Sequence, residues 1–155
     1  PKPFSSMTVK QNLLIPLEFA AGPNKLDNMS LEDQADEIIE ELGLSDKSNE
    51  LTLGLTQIEM RKLELARAMA AKPKLLISDE TMAGLSSSEV DDILRILIDL
   101  NDKTKMSIIM IEHMMRAVMG FSDRIVCLDA GRIIANATPS EAIGNPAVEK
   151  AYLGE

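Results

Sequence analysis

The pattern of apolar and polar positions divides the chain near Pro73. Before this residue, apolar side chains recur at the i, i+3, i+4, i+7 spacing that is typical of helices with one buried face. After it, short apolar runs alternate with helical segments, which is typical of α/β architecture. The pattern therefore predicts a helical region over residues 1–72 and an α/β region over residues 73–155.

The helical region contains start and stop signals for three helices. Capping residues mark the starts, and a Gly or a following Pro marks two of the ends. Pro16 lies inside the first helix and is expected to bend or break it, because proline cannot donate the helical hydrogen bond. In chain order the predicted helices begin at Thr8, at Ser30 (ending at Gly43) and at Thr56 (ending near Ala71), with a loop over residues 22–29.

The α/β region contains four apolar runs that predict strands. The first two flank a predicted helix and show no polar alternation, which favours parallel strands buried on both faces. The last two are joined by the short loop Asp129-Ala130-Gly131, which predicts a hairpin. The predicted strands are residues 75–78, 107–111, 124–128 and 132–136, with helices over 87–101, after His113, after the capping box at Thr138 and after Asn145-Pro146.

Composition narrows the possible functions. The formal net charge is −9 and the pI is about 4.7, which argues against nucleic acid as a partner because phosphate backbones require basic surfaces. The lone Cys127 cannot form an internal disulfide and fits a reducing compartment. No apolar run approaches the roughly 18 residues of a membrane span.

Candidate chemistry lies at the ends of the first two predicted strands. Asp79 and Glu80 follow the first strand, and His113, the only histidine, follows the second. Ligands of open α/β sheets bind beyond the carboxyl ends of strands, and paired acids there suit Mg²⁺ binding and activation of water. The structural alternative is a turn-forming acidic pair and a capping or surface histidine, and the sequence leaves it open.

Several ordered motifs resemble the ATP-binding subunits of ABC transporters, and the resemblance covers essentially the whole chain. The stretch LTQIE resembles the signature loop, LLISDE the Walker B strand with its catalytic glutamate, AGLS the D-loop and IEH the switch histidine. The closing stretch from Ser122 resembles the branched-chain amino acid importer subgroup. The motifs occupy residues 55–59, 75–80, 83–86 and 111–113, respectively.

The resemblance implies an α/β fold, a partial P-loop NTPase (RecA-like) sheet with an attached helical subdomain. Residues 1–72 would be the helical subdomain with the signature-like loop, and residues 73–155 the C-terminal part of the ATPase core. By the same resemblance ATP and Mg²⁺ are the cofactors. The implied site residues are Asp79 for the metal, Glu80 and His113 for catalysis, and Thr56, Gln57, Ile58, Glu59 and Ser86 for nucleotide contact.

The resemblance also implies function and partners. The chain would be the C-terminal portion of an ATPase subunit that couples ATP hydrolysis to amino acid import, of the branched-chain type. Its partners would be transmembrane permease subunits and a second ATPase subunit, in a homo- or heterodimer. It would lie in the cytoplasm, peripheral to the inner face of the cell membrane.

Departures from the family pattern favour an alternative to the ATPase interpretation. Ile58 replaces a usual Gly, Ser86 replaces the usual D-loop Asp, and no G-x-x-x-x-G-K-[ST] motif occurs. We therefore expect an N-terminally truncated ATPase that lacks the Walker A loop and Q-loop and is inactive by itself. The rival interpretation is a non-catalytic interaction module. The Thr56-x-x-Glu59 spacing is equally that of a plain capping box.

Overall fold

A computed structural model describes residues 2–21 and 29–153. The chain packs into two compact units. The first unit comprises Pro1–Leu76 and Thr81–Ile109, and the second comprises Ile77–Glu80 and Met110–Glu155. The predicted division at Pro73 remains a prediction about subdomains of the family. Most of the predicted loop over 22–29 lies outside the described residues.

The helices and strands follow the predicted order. The helices are α1 Val9–Ala21, α2 Leu31–Glu41, α3 Gln57–Ala70, α4 Ser87–Thr104, α5 Met115–Phe121, α6 Pro139–Ile143 and α7 Pro146–Leu153, and 3₁₀ turns occupy Ser45–Lys47 and Thr52–Gly54. The strands are β1 Leu75–Asp79, β2 Ser107–Ile111, β3 Ile125–Asp129 and β4 Arg132–Ala137. Within the described ranges, no helix is both long and apolar enough to cross a membrane.

Helices α1, α2 and α3 pack on one another and form the core of the first unit. Of the two effects expected of Pro16, the break is wrong, because α1 continues through it from Val9 to Ala21, and the bend stays a prediction. Leu13 and Leu17, on either side of the proline, are buried. Tertiary packing of this kind overrides the local cost of proline in a helix.

The predicted caps are confirmed. At Ser30 the side chain accepts from the Asp33 N–H, and Gly43 follows the end of α2 with φ +64°. Capping boxes, in which the side chains of two residues three apart serve each other's backbone N–H, form at Thr8–Gln11, Thr56–Glu59, Ser86–Glu89 and Thr138–Glu141.

Strands β1 and β2 lie side by side in a two-stranded sheet. The Ser107 N–H donates to Lys74 O (3.0 Å) near the start of both strands, and the Glu80 N–H donates to Ile111 O (2.9 Å) near the end of both. The two strands therefore run parallel. The prediction that both faces are buried is wrong. Leu76 and Ser78 of β1 are buried, whereas Leu75, Ile77, Ile109 and Ile111 are 48–59 % exposed, because no element in the described part of the chain covers them.

Strands β3 and β4 form the predicted antiparallel hairpin in the second unit. Asp129 pairs with Arg132, so the loop has two residues, Ala130 and Gly131, rather than the predicted three. Both have positive φ (45° and 77°), as a type I′ hairpin turn requires. Helices α6 and α7 pack on β4, with Ala135, Ala142 and Val148 buried.

Candidate active site

The ends of β1 and β2 bring three predicted site residues to one edge of the second unit. Asp79 is the last residue of β1, Glu80 follows it, and His113 lies two residues beyond the end of β2. The hydrogen bond from the Glu80 N–H to Ile111 O joins the two strand ends directly. We call Asp79, Glu80 and His113 the strand-end group.

The backbone of Glu80 has an unusual conformation. Its φ is +46°, in the left-handed region that residues with a Cβ adopt at a cost of roughly 1–2 kcal/mol. Strain of this kind often accompanies functional sites, where the surrounding structure holds it. Here the hydrogen bond to Ile111 O is one contact that holds the residue.

The side chains of the strand-end group face solvent. All three residues are exposed, and among the described residues their side chains make no hydrogen bond or ion pair. Within the same ranges, no cluster of three or more His, Cys, Asp or Glu side chains could hold a metal ion. A single exposed carboxylate such as Asp79 suits a cation that keeps most of its water or shares phosphate ligands, as Mg²⁺ does.

The predicted signature-like loop begins α3 in the first unit. Glu59 Oε2 accepts from the Thr56 N–H (2.8 Å) and from the Thr56 hydroxyl (2.9 Å). The Thr56 hydroxyl in turn accepts from the Glu59 N–H at 3.4 Å. The Thr56 N–H is the largest reason that the pKa of the Glu59 carboxyl lies below its ordinary value. This helix start is thus closed by its own capping box.

Ser86, the residue at the D-loop Asp position, begins α4 in the same way. Glu89 Oε2 accepts from the Ser86 N–H and from the Ser86 hydroxyl, both at 2.7 Å. These bonds, the one from the hydroxyl foremost, lower the pKa of the Glu89 carboxyl. We call Thr56, Gln57, Ile58, Glu59 and Ser86 the helix-start group.

The helix-start group includes one contact that the sequence did not predict. The side-chain amide of Gln57, the first residue of α3, donates to the carbonyl oxygen of Ala83 at 3.0 Å. Gln57 and Ala83 both lie in the first unit and are 26 positions apart. Ile58, beside Gln57, is half-buried.

A second unpredicted contact involves Tyr152, the only tyrosine. Its hydroxyl donates to the backbone oxygen of His113 at 3.3 Å, within the second unit. The two residues are 39 positions apart, and no motif relates them. The two groups of predicted residues belong to different units. The contacts of Gln57 with Ala83 and of Tyr152 with His113 could not be predicted from local patterns.

Comparison with known proteins shows which family the chain belongs to. The family model described as "ABC transporter" matches residues 1–83. The branched-chain amino acid transport ATP-binding protein LivG of Escherichia coli K12 is 35 % identical over 163 residues, with 98 % of this chain and 64 % of LivG covered. The lipopolysaccharide export ATP-binding protein LptB of Haemophilus influenzae is 34 % identical over 152 residues, with 98 % of this chain and 61 % of LptB covered.

The fold comparison agrees with the sequence comparison. The ADP conformation of MJ1267, an ATP-binding cassette of an ABC transporter, superposes with a TM-score of 0.83 at 27 % identity. The match covers all of this chain and 66 % of MJ1267. The predicted α/β fold of the P-loop NTPase class is therefore confirmed. The chain spans between about half and two thirds of the length of the LivG and LptB relatives.

Proposed function

Since the chain belongs to the ABC transporter family and has the P-loop NTPase fold, we propose that it supplies the hydrolytic end of a transport ATPase site. The observation that carries the proposal is the joining of the two strand ends by the bond from Glu80 to Ile111 O. An acid pair at the end of one strand and the only histidine after its neighbour support the proposal, because ligands of α/β folds bind beyond the carboxyl ends of strands.

Each member of the strand-end group has a distinct role in this proposal. Asp79 would hold Mg²⁺, a role that fits a single exposed carboxylate at a strand end because Mg²⁺ needs few protein ligands. Glu80 accepts the proton of the attacking water, a role that suits a solvent-facing carboxylate with no hydrogen-bonded partner among the described side chains. His113 donates to the γ-phosphate. Bound Mg²⁺ supplies charge neutralisation at the phosphates.

The helix-start group contributes phosphate contacts in this proposal. A helix N-terminus attracts anions through its free N–H groups and its partial positive charge. The capping box at Thr56 already places the Glu59 carboxylate there. Contact between the Thr56 hydroxyl and a phosphate therefore requires Glu59 to release that hydroxyl.

The proposed partners follow from the family. A second ATPase subunit would complete the nucleotide site. Hydrolysis would be coupled to transmembrane permease subunits. The protein would therefore lie at the inner face of the cell membrane. The name of LivG supports branched-chain amino acids as cargo. The sequence identity to LptB, whose name specifies lipopolysaccharide export, is similar, so sequence identity by itself does not determine the transported molecule.

A substitution of Glu80 tests the proposed base in the assembled ATPase that contains this chain. Glu80→Gln should lower kcat at least about 100-fold, because general-base catalysis contributes roughly 10²–10⁴. Nucleotide affinity should stay unchanged, since Gln has the shape of Glu. The matched control is Glu149→Gln, which removes an exposed acid of α7 in the same unit. Turnover that is equal in Glu80→Gln and wild type would remove Glu80 from this role.

One observation favours a second function, that of a non-catalytic interaction module. Both helix starts are closed by capping boxes, and Ile58 stands where the family usually has Gly. If this second function is correct, Glu80→Gln and Glu149→Gln will have equal effects in every assay of the assembled protein.

A further inference from the structure

Gln57 joins the start of α3 to the turn that precedes α4. Its Nε2 donates to Ala83 O at 3.0 Å, and Ala83 lies at the exposed tip of the turn over Thr81–Gly84. Thr56, immediately before Gln57, caps α3, and Ser86, three residues after Ala83, caps α4. One side chain therefore connects two capped helix starts.

Gly84 shows how closely the amide of Gln57 lies against this turn. A Cβ built on Gly84 would stand 2.5 Å from Gln57 Nε2 and 3.3 Å from its Cδ. Gly84 also has φ +81°, a conformation that side chains rarely tolerate. The backbone conformation therefore favours glycine at position 84, and a side chain there would displace the end of the Gln57 side chain.

Two further features hold the rest of this turn. Met82 is completely buried, and the Leu85 N–H donates to Met82 O at 3.2 Å. The tip at Ala83 and Gly84 is exposed, and the bond from Gln57 reaches this tip. Opening of the tip is therefore expected to break the bond from Gln57, and loss of that bond is expected to free the tip.

We infer that Gln57 is a positioning residue that makes the start of α3 and the turn before α4 move as one body. The inference rests on the proposed function for its importance, because these two segments carry Thr56 and Ser86, the residues proposed to contact nucleotide. Its test needs no nucleotide. Failure of the ATPase proposal would therefore leave this result intact, and the reverse also holds.

Amide hydrogen exchange on the full chain tests the link. In Gln57→Met, which keeps the length of the side chain and removes the donor, the Leu85 amide should exchange about fivefold faster, the factor that corresponds to a typical net hydrogen bond. The Leu63 amide, in the buried middle of α3, should not change. The matched control is Gln34→Met, because Gln34 also donates to a backbone oxygen, that of Met29. Equal Leu85 exchange in Gln57→Met and wild type would overturn the inference.

A second variant tests the same bond through its proton. A protonated Glu at position 57 donates as Gln does, whereas an ionised one places a negative charge against Ala83 O. Gln57→Glu should therefore show fast Leu85 exchange at pH 7, relative to wild type at the same pH. The ratio should return toward one as the pH falls through about 4, the ordinary range for Glu. A ratio that stays at one, or is independent of pH, would contradict the inference.

Discussion

The strand-end group and the helix-start group differ in what their side chains already bind. Thr56 and Ser86 share their hydroxyls with Glu59 and Glu89 in closed capping boxes. In the described part of the chain, the side chains of Asp79, Glu80 and His113 have no hydrogen-bond or ion-pair partner. The polar side chains at the helix starts thus stabilise the helices. Those at the strand ends contribute little to local structure.

The two groups also differ in backbone conformation. Glu80 occupies a left-handed conformation at a strand end, which costs stability for a residue with a Cβ. Thr56 and Ser86 have ordinary extended backbones, as N-cap residues do. Glu80 thus combines a left-handed backbone with a side chain that has no partner among the described residues, whereas a relaxed capping box is explained by folding alone.

The largest predicted difference in stability is that between Thr56→Ala and His113→Ala. Loss of the cap at Thr56 should lower the free energy of unfolding by about 1 kcal/mol, within a range of roughly 0.5–2. His113→Ala should stay within about 0.5 kcal/mol of wild type, because the bond from Tyr152 goes to the backbone of His113. Chemical denaturation measures both.

Thr56→Ser is the control, since serine caps as well as threonine does. If His113→Ala destabilises the protein as much as Thr56→Ala, the imidazole has a structural role and the comparison fails.

A smaller effect should appear in the pH dependence of stability. The pKa of the Glu59 carboxyl is lower in the folded chain than its ordinary value of 4.5. Its contribution is therefore fully present above about pH 4.5 and is lost as the pH falls through the lowered pKa. Glu59→Gln should reduce stability at pH 7, and its difference from wild type should shrink in acid. Denaturation curves from pH 7 to pH 3 measure the difference.

Glu149→Gln serves as the control for loss of one surface charge in this titration. A difference between Glu59→Gln and wild type that stays constant from pH 7 to pH 3 would contradict the proposed charge effect.

The local parts of this fold were predictable, and the long-range parts were not. The capping boxes at Thr56 and Ser86 depend on residues three apart, so the sequence predicts them directly. The exposed face at Ile77 was missed because an apolar run does not reveal whether other chain segments cover it. The contacts of Gln57 with Ala83 and of Tyr152 with His113 depend on tertiary proximity, for which these residues carry no local signal.

The central claim is that Asp79, Glu80 and His113 share one edge. His113 is the only histidine, so its imidazole proton signals in NMR spectra of this chain are unambiguous. Mn²⁺, a paramagnetic substitute for Mg²⁺, should broaden these signals at low concentrations in wild type. The broadening should be much weaker in Asp79→Asn/Glu80→Gln and unchanged in Asp129→Asn, which alters an exposed acid of β3. Equal broadening of His113 in wild type and in Asp79→Asn/Glu80→Gln would contradict the claim.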